Sequence, residues 1–172
     1  ARTRAVTFVS GGTEANMTAL SPSWQDQGAP VYLDKLFRSA VEHPSVITGG
    51  RFAVADQVVI PVDSSGRIQL DMLEQAVKGA EPSLISVMAA NNETGVIQPI
   101  AEIGAIAETH GHFLHVDAVQ AAGRMEIDLT AWRSDIVTLS AHKFGGPQGA
   151  GAVIVRSTAR VPSPLMRSES VV

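Results

Sequence analysis

The 172-residue sequence contains no cysteine. That excludes disulfides and thiolate-ligated metals, and it leaves the redox compartment open. Aromatic residues make up only 5% of the chain against 45% apolar residues in all, so a core must be built from Ala, Val, Ile and Leu. No apolar stretch approaches the ~20 residues that span a bilayer, and no segment has the layout of a signal peptide. Basic runs are missing too, and the net charge of -4 disfavours nucleic acid as a partner. With no membrane and no nucleic acid in view, the expectation is a soluble cytoplasmic protein. The length suits one domain with a proper core and is too short for two.

What the sequence does contain is alternation. Val6–Val9, Leu36–Val41, Gln57–Val62, Ser83–Met88, Phe113–Val116, Ile136–Leu139 and Gly151–Val155 are short apolar segments with strand character. Ser83–Met88 is continuous enough for a strand buried on both faces. Between them, Thr13–Leu20 opens like a helix, and Leu70–Lys78 puts Leu70, Leu73, Ala76 and Val77 on one face. Pro99–His110 is a third helix, with Ile100, Ile103, Ile106 and Ala107 as its apolar side and Gly111 as its stop. This order predicts an α/β domain with a mainly parallel sheet flanked by helices. Ser21–Pro30 and the tail from Ser157 read as irregular.

Polar chemistry follows five of these segments. Ser10-Gly-Gly-Thr13 follows the first, Glu42-His43 the second, and Asn91-Asn92-Glu93 follows Met88. Asp117 and Gln120 follow Val116, and Ser140, His142 and Lys143 follow Leu139. Parallel sheets bind ligands at the carboxyl ends of their strands, so parallel strands would gather all five clusters on one edge. Each has a plainer reading. Ser10–Thr13 serves equally as a turn with a helix cap, Asp117 as a cap, and Asn92 as a turn residue completed by Gly95. His43 fits a loop before Pro44, and Lys143 fits a solvated lysine. His115 and Asp117 would share one side of a strand, but without a third ligand they make no metal site, and none is expected. The glycines match neither a P-loop nor the G-x-G-x-x-G dinucleotide pattern. A lysine that can hold an aldehyde cofactor covalently, with an aspartate that can pair a pyridinium nitrogen, is the pair pyridoxal-phosphate chemistry requires.

Five stretches carry a resemblance beyond that pair. They are Ser10-Gly-Gly-Thr-Glu-Ala-Asn16, Glu42-His-Pro-Ser-Val46, Asn91-Asn-Glu-Thr-Gly-Val96, His115-Val-Asp-Ala-Val-Gln120 and Ser140-Ala-His-Lys-Phe-Gly-Gly-Pro147. In this order the chain resembles the large domain of the cysteine desulfurase family, class V aminotransferase-like enzymes of fold type I that depend on pyridoxal 5'-phosphate. The resemblance implies that Gly12, Thr13, Ser140 and His142 bind the cofactor phosphate. It implies that His43 stacks on the ring and helps move protons, and that Asn92 and Gln120 bond near its phenolic oxygen. Asp117 would keep the ring nitrogen protonated, and Lys143 would carry the cofactor and then a proton. The implied catalytic residues are Lys143 and His43.

The same resemblance implies a substrate, L-cysteine, converted to L-alanine with sulfur passed to an enzyme cysteine and on to an acceptor protein for iron–sulfur cluster assembly. It also implies a homodimer. The sequence departs from the family at one point of chemistry, because no residue here can carry the persulfide. Residues 1–156 are expected to form the cofactor-binding large domain, incomplete at its amino end. Residues 157–172 are expected to be an irregular tail where the family has its small carboxyl-terminal domain. Three readings follow: a desulfurase-like domain without its thiol, another class V enzyme such as a selenocysteine lyase or aminotransferase, or a non-catalytic remnant.

Overall fold

The computed structural model describes residues 5–163. In chain order they form β1 (Ala5–Val9), α1 (Gly12–Ala19), β2 (Ser23–Asp26), β3 (Ala29–Tyr32), β4 (Leu36–Ser39) and α2 (Pro44–Ile47). There follow β5 (Gln57–Ile60), α3 (Leu70–Val77), β6 (Leu84–Met88), α4 (Ile100–His110), β7 (Phe113–Asp117), β8 (Ile136–Ser140), β9 (Gly151–Val155) and β10 (Arg160–Pro162).

Seven strands form the main sheet in the order β1-β9-β8-β7-β6-β4-β5. The five from β8 to β5 are parallel, while β9 runs antiparallel to both of its neighbours. Two reversals restore direction, so β1 points the same way as β8. Gly151, the first residue of β9, sits opposite Val9 on one side and Ser140 on the other.

β6 and β7 are buried at every position because the sheet is covered on both faces. On one face Ile85, Val87, Leu114 and Val116 pack with Leu73 and Val77 of α3 and Ile100, Ile103 and Ala107 of α4. On the other, Leu84, Phe113 and Ile136 pack with Ala15 and Ala19 of α1 and with Trp24. Strand alternation then puts Ser86, His115, Asp117 and Thr138 on the α1 face as well. That face is therefore apolar at one end and polar towards the carboxyl edge. α4 lies close to the chain near Trp132: a side-chain carbon at Gly104 would overlap the Trp132 carbonyl oxygen. Gly111 ends α4 in the left-handed conformation at φ 76°.

Two expectations need correction. Ser21–Pro30 is not irregular: β2 and β3 form a hairpin turned by Gln27 and Gly28, with φ of 53° and 83°. Two positive φ values in a two-residue loop match the twist of the flanking strands. Pro30 is tolerated because β3 is an edge of the small sheet β10-β2-β3. The tail is also ordered at Arg160–Pro162, which pairs with β2. Arg160 bonds Asp26 at 3.0 Å and Asp135 at 3.4 Å, and its guanidinium lies 4.2 Å over the Phe113 ring. The rest of that predicted tail, 164–172, lies outside the described residues.

Candidate active site

The carboxyl ends of β1, β4, β6, β7 and β8 meet at one edge, and a cavity of about 260 Å³ opens there. It is at the lower end of small-molecule sites, which run ~300–1,000 Å³. Gly12, Thr13, His43, Asn92, Asp117, Gln120, Ser140, His142 and Lys143 all line it. These are the nine residues singled out in the sequence, drawn from five separate chain segments. A second hollow of about 340 Å³ shares Gly12, Thr13, Ser140 and His142 with the first.

Local geometry explains each placement. Gly12 starts α1 directly over the end of β8: a side-chain carbon there would stand 3.2 Å from Ser140 Cβ and 3.1 Å from Val119 Cγ2. The α1 amino terminus thereby sits against the Ser140 hydroxyl, which lies 3.0 Å from His142 Nδ1. Backbone N–H groups of such a terminus favour an anion. Lys143 follows in the tight turn Ala141–Phe144, closed by Gly145 at φ 90°. His43 caps α2, its Nδ1 accepting from Ser45 N at 3.2 Å, with Ser45 Oγ at 2.8 Å.

Asp117 ends β7 and is 5% exposed. Its Oδ2 accepts from Asn16 Nδ2 at 2.7 Å and its Oδ1 from Val119 N at 3.0 Å. Burial pushes this carboxyl above the usual range, while the two donors and the attraction of His43 pull it down. Asn92 faces the cavity and donates to Glu93 at 2.6 Å. Asn92 also lies in the turn that Gly95 closes, as its plainer reading held, while the side chain that bonds the turn is that of Asn91, whose Oδ1 accepts from Glu93 N and Thr94 N at 2.9 Å each. Glu42, beside His43 in the sequence, does not line the cavity. Its Oε1 accepts from Met88 N at 2.9 Å, its Oε2 makes no well-formed hydrogen bond although the Ser39 hydroxyl is near the carboxyl, and burial pushes that carboxyl up to about 8.

His115 is fully buried, bonded through Nδ1 to Ser86 Oγ at 2.8 Å and through Nε2 to Thr138 Oγ1 at 3.0 Å. Both nitrogens are taken, which removes it as a metal ligand, and burial lowers its pKa to about 3. Asn16, Ser45, Met88, Ala90 and Val119 also line the cavity and were not singled out. Asn16 carried one usable signal: it lies four residues after Gly12, one helical turn along the same face.

A mainly parallel α/β sheet with an anion-suited helix start, a buried carboxylate and a lysine at its carboxyl edge is the large-domain fold of the fold type I pyridoxal-phosphate enzymes. Comparison with known proteins agrees. The model of the family described as Aminotransferase class-V matches residues 1–170, and the chain belongs to that family. Cysteine desulfurase of Sinorhizobium fredii is 39% identical over 155 residues, which cover 88% of this chain and 39% of that protein. The mitochondrial cysteine desulfurase of Saccharomyces cerevisiae is 38% identical over 163 residues, 91% of this chain and 32% of its own. Among solved structures, a NifS-like protein from Rickettsia africae superposes with a TM-score of 0.82 at 33% identity, over 96% of this chain and 44% of that one. SspA in complex with cysteine superposes with a TM-score of 0.78 at 28% identity, over 95% and 48%. The chain thus spans 32–39% of the length of these curated relatives. No described helix is long and apolar enough to cross a membrane.

Proposed function

We propose that this chain holds pyridoxal 5'-phosphate in the carboxyl-edge cavity and is the cofactor-binding part of a cysteine desulfurase. One observation carries the reading: nine residues scattered from Gly12 to Lys143 converge on a single cavity. The donor set fits the cofactor. A buried carboxylate whose two oxygens already accept from Asn16 and Val119 still has lone pairs free, and its burial calls for a cationic partner. A protonated ring nitrogen is such a partner. The bound cofactor supplies an electron sink conjugated to the α-carbon of an amino acid.

The chain's own residues do the rest. The Gly12 amide, Thr13, Ser140 and His142 bind the phosphate. One helix terminus contributes only ~0.3–1 kcal/mol towards an anion, whereas micromolar retention takes about 8 kcal/mol. The load is therefore spread over these groups and the covalent link at Lys143. Asp117 keeps a proton on the ring nitrogen, His43 walls the ring and moves protons, and Asn92 and Gln120 bond near the phenolic oxygen. The Lys143 amine, freed by an incoming amino acid, carries a proton to or from the substrate α-carbon.

L-cysteine is the substrate and L-alanine the product, in line with the desulfurase relatives and the cysteine-bound SspA structure. The thiol that takes up the sulfur is not among these 172 residues. We further propose a homodimer, transfer to a sulfur-acceptor protein for iron–sulfur cluster assembly, and a cytoplasmic location. The test is direct. Purified chain mixed with pyridoxal phosphate should develop the visible absorption of the lysine-bound cofactor, and borohydride should fix it on Lys143 in peptide maps. A well-folded protein that develops no such band, or labelling at another lysine, would sink the reading.

A further inference from the structure

Asn16 is 1% exposed, and all of its polar atoms are engaged. Its Nδ2 lies 2.7 Å from Asp117 Oδ2 and 2.9 Å from Ser45 Oγ, and its Oδ1 lies 2.6 Å from Thr138 Oγ1. Beyond Ser45 is His43 Nδ1; beyond Thr138 are His115 Nε2 and then Ser86. A continuous chain of hydrogen bonds therefore runs from the cap of α2, under the cavity, to β6. It crosses α1, β7 and β8 on the way.

One arrangement of protons follows from the donors as placed. His43 Nδ1 accepts from the Ser45 amide, so the Ser45 hydroxyl also donates to it and must accept from Asn16. Asn16 thus turns its NH2 towards Ser45 and Asp117 and its carbonyl towards Thr138. Thr138 donates to that carbonyl, so His115 donates from Nε2 and its Nδ1 accepts from Ser86. The reversed amide would set its oxygen against Asp117 Oδ2 and against a hydroxyl already committed to His43. A proton on the Oδ2 lone pair that faces Asn16 would meet the NH2 and find no acceptor. With the amide placed this way Asp117 accepts at both oxygens, an arrangement that suits its anion.

We propose that Asn16 is a positioning residue of this site, holding Asp117 as a carboxylate aimed into the cavity, with its own amide fixed by Ser45–His43 on one side and Thr138–His115 on the other. The function of that anion rests on the pyridoxal-phosphate reading; the network does not. The titratable groups around Asp117 are Glu42 after β4, His43 at the cap of α2, the neutral His115 on its own strand and Lys143 across the cavity.

The experiment titrates the Asp117 carboxyl by carbon-13 NMR in cofactor-free protein, so its failure is separate from failure of cofactor binding. Losing a hydrogen bond to a charged group should raise the Asp117 midpoint in Asn16→Leu by about one pH unit or more. Thr138 stands level with Asp117 on the next strand but shares no side-chain hydrogen bond with it. Thr138→Val, close in shape, should raise the midpoint by less, and Thr138→Ser should restore it. An unchanged midpoint in folded Asn16→Leu overturns the proposal. So does a Thr138→Val midpoint equal to that of the parent, because the Asn16 amide would then not depend on the Thr138 hydroxyl that holds its oxygen.

Discussion

Replacing Glu42 with Gln isolates a strongly raised carboxyl in the interior of the fold. The carboxyl is buried, one oxygen accepts from Met88 N, and the other makes no well-formed hydrogen bond, with the Ser39 hydroxyl close to the group. Burial, with a smaller push from Asp117, moves it from 4.5 to about 8. A carboxyl raised in the folded state keeps a proton that the unfolded chain releases. Its stabilisation is complete below pH 4.5 and is lost as pH climbs to about 8. At ~1.4 kcal/mol per unit, the full shift corresponds to about 5 kcal/mol over that window. Gln keeps the carbonyl that accepts from Met88 N but adds an unpartnered NH2 group, at a cost of ~1–3 kcal/mol. The variant should therefore be less stable than the parent near pH 5 and more stable near pH 8, with the curves crossing between. Urea unfolding at pH 5, 6, 7 and 8, followed by fluorescence of the buried Trp24 and Trp132, measures both proteins. A stability difference that stays constant across the window would show that Glu42 does not hold its proton, and the reasoning would fail.

Gly104→Ala should destabilise by ~1–3 kcal/mol or more, because the added carbon overlaps the Trp132 carbonyl in a packed layer; an unchanged urea midpoint would count against that packing. Gln27→Asn, which makes an Asn-Gly pair at a hairpin turn with two positive φ values, should stabilise by ~0.5 kcal/mol. A drop in melting temperature would argue against the turn. Given L-cysteine and pyridoxal phosphate, the chain by itself should release no sulfide at turnover rates, since it has no thiol. Sustained sulfide would mean that sulfur leaves by a route needing no enzyme cysteine.

Much of this architecture was legible because its signals are local. Leu84–Met88 and Phe113–Asp117 are buried at every position, and burial on both faces leaves mostly apolar runs interrupted by Ser86 and His115. The polar residues that end those runs belong to the cavity, as the rule for parallel sheets requires. The β2–β3 hairpin was hidden because Pro22, Gly28 and Pro30 resemble loop residues, and only the edge position of β3 makes Pro30 acceptable. Arg160–Pro162 was hidden because its pairing depends on that hairpin and on a clasp to Asp26 and Asp135. Asn16 escaped notice for another reason. A lone Asn inside a helix was marked only by its spacing from Gly12, and its meaning comes from Ser45, Asp117 and Thr138, up to 122 residues away.

Gly151 has a consequence for how such chains can vary. It stands level with Val9 and Ser140 at once, so a single residue sets the relative height of the two segments assigned to the phosphate. β9 works as a ruler laid between them. A slip of one place would move its neighbours by ~3.3 Å and turn every β9 side chain to the opposite face. Insertions between Gly145 and Ala150 should be absorbed as longer loop, whereas one inside β9 should break the cavity while leaving most of the sheet intact.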